Sequence, residues 1–134
     1  MTQEEKELLL KDLCGRLPYV VFMGNKEWNR APYQLTFDEV QYAMMTDDWD
    51  DVPYLRSMSS MTEEEKKEMH EKLSPKGNAN YWDEGISTPV SHYGDWISYE
   101  YMSRIIDWLN AHHFDYRGLI PKGLAIEAPE GMYK

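Results

Sequence analysis

The chain has a single cysteine, Cys14, among 134 residues. One thiol forms no intramolecular disulfide, which excludes a small secreted scaffold held by disulfide staples. Long hydrophobic runs are also missing. Leu8-Leu9-Leu10 is far too short for a membrane span or a signal core, and acidic residues precede it. The expectation is a soluble, cytoplasmic protein with no membrane contact. Positive charge is scarce, with 14 Lys and Arg against 24 Asp and Glu and a formal charge of −10. Nucleic-acid binders neutralise phosphate with a basic surface, so no nucleic-acid partner is expected, and anionic lipid is disfavoured for the same reason. An acidic surface suits a basic protein partner or a mimic of nucleic acid; it also simply keeps a small domain in solution.

Catalytic and metal motifs are missing as well. No HExxH spacing is present, and adjacent histidines such as His112 and His113 point about 100° apart on a helix, so they do not easily share one metal. His113 reads instead as the end of an apolar stripe. Asp47, Asp48, Asp50 and Asp51 lack the glycine and the twelfth-position carboxylate of an EF-hand loop. Ser87, Ser91 and His92 are close in sequence but lie in no G-x-S-x-G elbow. Gly118 and Gly123 flank Pro121 without a P-loop lysine and serine. The expectation is no catalytic residue, no metal and no cofactor. Cys14, near a helix C-terminus where the dipole does not favour thiolate, reads as a buried apolar residue.

Aromatic residues are plentiful. Ten tyrosines and five tryptophans stand against three phenylalanines. Each buries roughly 150–250 Å², so few are needed for a core, and their polar tips suit binding faces. Trp28, Trp49 and Trp82 fall in predicted loops, with Tyr93 nearby in the same stretch as Trp82. Exposed aromatics of this kind anchor protein partners or stack on a base. In a small domain they also serve as packing.

The length fits one domain, residues 1–134, with a core over 1–126 and an extended tail over 127–134. Thr2 and Glu5 form a capping box for a helix over Gln3–Cys14, with Gly15 as the stop. Pro18–Met23 and Pro32–Phe37 read as strands. Residues 36–45 fit either period: Thr36 and Glu39 make a second capping box, whereas Val40, Tyr42 and Met44 alternate. The strand is preferred, because a lone helix this short is marginal. Val52–Arg56 is extended. Thr62 and Glu65 cap a peripheral helix running to about Leu73. Residues 78–97 form the longest weakly patterned stretch and read as a binding loop. Tyr99–His113, capped by Ser98, is the strongest helix, with Tyr99, Met102, Ile105, Ile106, Leu109 and His113 on one face and Trp108 at its edge. Asp115–Pro121 reads as a tight turn or one helical turn, and Gly123–Ile126 as a last strand. The fold class is α+β: a small antiparallel sheet against a central C-terminal helix, with an N-terminal helix and a peripheral middle helix.

Three blocks carry a resemblance: Leu10–Tyr19 (LKDLCGRLPY), Tyr54–Glu64 (YLRSMSSMTEE) and Trp108–Ile120 (WLNAHHFDYRGLI). They resemble a group of small proteins of Bacteroides-type gut bacteria and of their phages and mobile elements. The match spans about half the chain. It implies a biological setting and no activity. The group more often has proline where this chain has Ser57. Its middle segments, around 24–50 and 74–97, vary most, which implies a scaffold whose loops set specificity.

The first functional expectation is therefore a non-enzymatic accessory protein that engages a host protein through aromatic loops and an acidic surface. The alternative is a small-molecule binder that sequesters a nucleotide-like signal, with an aromatic on the base and Arg117 or Lys122 near phosphate. A histidine-dependent enzyme using His112, His113 or His92 is the third. The candidate binding residues are Trp82, Trp49, Trp28, Tyr93, Arg117 and Lys122. No oligomeric state follows from the sequence.

Overall fold

A computed structural model describes residues 1–27, 31–46, 48–73 and 99–133. The first helix, α1 (Gln3–Arg16), begins where the capping box places it: Glu5 N–H donates to Thr2 Oγ1 at 3.1 Å, and Thr2 N–H donates to Glu5 Oε1 at 2.9 Å. It runs two residues past the expected end, because Gly15 remains helical and the chain stops at Leu17, ahead of Pro18. A Cβ on Gly15 would stand 3.7 Å from the Asn110 side chain. That is ordinary contact distance, so Gly15 is neither a stop nor forced by a close approach. The buried residues of α1 are Leu9, Asp12, Leu13 and Arg16, a single stripe at i, i+3, i+4 and i+7. Cys14 lies off that stripe and is exposed, which corrects the expectation of a buried thiol.

The sheet holds four short strands in the order β2-β1-β3-β4: β1 (Phe22–Gly24), β2 (Tyr33–Gln34), β3 (Val52–Leu55) and β4 (Ile126–Glu127). β1 pairs antiparallel with β2 and with β3. The expected sheet was antiparallel throughout, but β4 lies parallel to β3, with Tyr54 opposite Ile126. A parallel neighbour needs a long crossover, and here everything between residues 55 and 126 separates the two strands. Gly24 is required by close approach: a Cβ there would meet the Tyr54 ring at 2.6 Å.

Residues 37–45 are helical (α2, Phe37–Met45), not a strand. Thr36 caps it, accepting from Glu39 N–H at 3.3 Å. A lone helix this short is marginal, but α2 is not alone: Val40 and Ala43 are buried against α1 in the main core. That core also takes Leu9 and Leu13 of α1, Val21, Met23, Leu35, Val52, Leu55, Leu119 and Leu124. The helix on the sheet's apolar side is thus α1.

α3 (Glu63–Leu73) follows a 3-10 turn (Met58–Ser60) and carries the expected box, with Glu65 N–H on Thr62 Oγ1 at 3.1 Å. α4 (Tyr99–Ala111) contacts both α1 and α3. Its Ile105, Trp108 and Leu109 join Met61, Met69 and Phe114 in a second cluster. The buried face therefore centres on Trp108 rather than on Ile106, which is only half-buried. α4 ends two residues before His113. Phe114 N–H donates to Leu109 O and His113 N–H to Asn110 O, the Schellman arrangement, and His113 takes φ 66° where glycine is usual. Residues 127–133, expected to be extended, turn at Pro129–Met132 and return Tyr133 to the sheet. Among the described residues no helix is long and apolar enough to cross a membrane.

Candidate functional site

Of the sequence-derived site residues, Trp49, Arg117 and Lys122 are among those described. Trp28, Trp82 and Tyr93 lie outside the described residues, as does the stretch 74–98. Trp49 is 8% exposed and belongs to the main core, so it is a packing residue rather than an exposed anchor. Arg117 is half-buried, with Nε 3.2 Å from Asp12 Oδ1 and its guanidinium 5.4 Å from the Tyr116 ring centre. Its charge is engaged inside the fold. Lys122 is exposed in a turn.

Concave regions of about 740, 450 and 280 Å³ are lined by described residues, and the first two carry aromatic side chains. The larger is a cleft of about 740 Å³ between the end of α4, the 3-10 turn and the C-terminal segment. Arg56 forms one wall, donating from both terminal nitrogens to the Glu65 carboxylate at 2.7 Å and lying 4.2 Å from the Phe114 ring centre. That hydrogen-bonded pair holds the Glu65 carboxyl down at about 2. His112 stacks on Trp108 at 3.9 Å, and its Nδ1 is 2.9 Å from Trp108 O. His113 stacks on Tyr133 at 3.7 Å, with Nδ1 buried and without a hydrogen-bond partner among the described residues. Burial, then the nearby Arg16 charge, push its imidazole down to about 4. A left-handed backbone at a residue with a full side chain costs about 1–2 kcal/mol. The Tyr133 hydroxyl donates to Tyr54 O at 2.6 Å and accepts from Phe22 N–H at 2.9 Å, and burial raises it to about 12. Arg56 and Glu65 are thus turned on one another, and the Tyr133 hydroxyl holds the C-terminal segment to the sheet. Among the described residues no group of three or more His, Cys, Asp or Glu side chains is placed to hold a metal ion.

The second region lies on α2 and the loop after it. Val40 and Ala43 face the core, which leaves Phe37, Tyr42, Met44 and Met45 outward, exposed by 62, 60, 56 and 86%. At 100° per residue Phe37, Gln41, Met44 and Met45 share one strip, and Tyr42 and Glu39 fall on the far side of it. Beside Tyr42 is a concavity of about 450 Å³ walled by Tyr33, Glu39, Asp48, Trp49, Asp50 and Asp51. Its rim is pinned. Asp48 N–H donates to Thr46 Oγ1 at 3.2 Å, Lys6 Nζ donates to Thr46 O, and Asn25 Nδ2 donates to Asp51 Oδ1 at 3.2 Å. The Tyr33 hydroxyl donates to Asp51 Oδ2. Sequence reading found the acidic loop but missed the strip. The helical alternative for 37–45 held only part of the signal: Met45 falls away from Val40 and Ala43, but Phe37 and Met44 lie about 60° and 40° from Val40 round the helix, so their exposure beside a buried Val40 is a tertiary fact.

No family model, curated protein or solved structure matches the chain.

Proposed function

We propose that the chain is a non-enzymatic binding module that docks a protein partner on the outer face of α2 and the acidic rim beside it. The observation that carries this reading is the exposure of Phe37, Tyr42, Met44 and Met45 on one nine-residue helix. Scattered single apolar residues are normal on a surface, but a contiguous set rimmed by polar groups marks an interaction site. Methionine adapts its shape to a partner, and tyrosine contributes area with few rotamers to order. The formal charge of −10 favours a partner of opposite sign. The resemblance of three sequence blocks to proteins of Bacteroides-type bacteria and their phages supports an accessory role for a phage or mobile element, directed at a host protein.

A photo-crosslinking residue at position 45 tests this, with the same residue at exposed position 11 on α1 as the control. The expected result in host cells is a discrete adduct with one protein from position 45 and none from position 11. Equal, diffuse labelling from both positions, or adducts only between copies of this chain, would overturn the reading.

A further inference from the structure

The apolar strip ends at Met45, about 60° round α2 from Tyr42 on the wall of the acidic concavity, and together they constrain what docks. α2 spans nine residues, or about 13 Å. That is room for two turns of a partner helix, with apolar residues at i, i+4 and i+7 over Phe37, Met44 and Met45. The edge of the strip is not neutral. Asp38 lies on α2, Glu39 flanks Tyr42, and Asp48 and Asp50 stand exposed on the rim. No described lysine or arginine lines the concavity. An anionic or purely apolar side chain there would leave these carboxylates unmatched against it.

We propose that the partner presents a basic amphipathic helix whose apolar face covers Phe37, Met44 and Met45 and whose arginine side chain enters the concavity beside Tyr42. The inference rests on the reading of α2 as the docking face. Arginine fits better than lysine for a chemical reason. The concavity offers both aromatic walls, from Tyr33, Tyr42 and Trp49, and carboxylates on its rim. A planar guanidinium stacks on aromatic rings and bonds carboxylates in two-pronged fashion, whereas an ammonium is a compact, strongly hydrated point charge. The rim is already held by Thr46 and Asn25, so it needs little ordering when the cation arrives.

The test uses three synthetic peptides and the intact chain labelled for NMR. The first is an amphipathic helix with a leucine face and one arginine at its edge. The second replaces that arginine by citrulline, which keeps the shape and removes the charge. The third replaces the leucines by serine. The expected result is that the arginine peptide shifts resonances of α2 and residues 48–51, that citrulline weakens binding at least tenfold, and that Glu39→Gln/Asp48→Asn/Asp50→Asn brings the arginine peptide down to the citrulline level. If citrulline binds as tightly as arginine while α2 still shifts, the cation pocket is wrong and the docking face stands. If the leucine and serine peptides bind alike, or α2 does not shift, both this inference and the docking reading fall.

Discussion

Asp12 and Arg16 face each other one helical turn apart with no exposure to solvent. Arg16 Nε donates to Asp12 Oδ2 at 2.7 Å, and one terminal nitrogen donates to Phe114 O at 2.8 Å, so the pair ties α1 to the turn after α4. A buried ion pair adds little over a well-packed apolar pair, but removal of one member is severe. Arg16→Met leaves Asp12 to Arg117 alone and Phe114 O without its donor, and should cost about 3–5 kcal/mol in urea unfolding; Asp12→Leu/Arg16→Met should recover only part of it, because Arg117 then loses its carboxylate. If the single variant is as stable as the wild type, the pair has no part in the fold. His113 supplies a second residue-scale prediction. Its imidazole protonates at about 4 in the fold against an ordinary 6.5. As pH falls, the unfolded chain takes up that proton first, so stability drops between pH 6.5 and 4 and this contribution levels off below. The Glu65 contribution acts lower: it is present above the ordinary 4.5 and is lost as pH falls through about 2. Asparagine tolerates the left-handed backbone. Melting of His113→Asn against pH should thus lack most of the slope between 6.5 and 4. An unchanged slope in that window would assign the loss to other groups.

The elements differ in how plainly the sequence announced them. α1 and α3 have reciprocal Thr–Glu caps, which are local, and both begin as read. α2 has the same kind of threonine cap but a mixed period, and its helical state depends on burial of Val40 and Ala43 against α1, a contact no local pattern contains. β4 pairs with β3 across about seventy residues, so its direction was not legible either. The acidic loop was visible as composition. The apolar strip beside it was hidden by the strand reading of 36–45, and Trp49 looked exposed because a loop in sequence need not be a loop on the surface. The C-terminal segment is the clearest case of a long-range contact. Its one hydroxyl at Tyr133 serves Phe22 N–H at the start of β1 and Tyr54 O within β3. Tyr133→Phe leaves both without that partner and should cost about 1–3 kcal/mol, with faster amide exchange at Phe22 as the site-specific readout. Unaltered exchange at Phe22 would show that the hydroxyl does not hold the segment.

At the scale of the whole molecule, charge and shape work together. The −10 net charge acts over the surface as a whole and draws any cationic body; that attraction fades over a Debye length of about 8 Å at physiological salt. The α2 face is what would turn a general attraction into a docked complex, because burial of Phe37 and Met45 does not weaken with salt. The most direct measurement is therefore the affinity of the leucine–arginine peptide for the wild type and for Phe37→Ser/Met45→Ser at physiological ionic strength, with melting of both proteins alongside. Both residues are well exposed in the free chain, so the double variant should stay within about 0.5 kcal/mol of wild-type stability per site. Its affinity should nonetheless fall at least tenfold, about 1.4 kcal/mol. Equal affinity from two equally folded proteins would contradict α2 as the docking face.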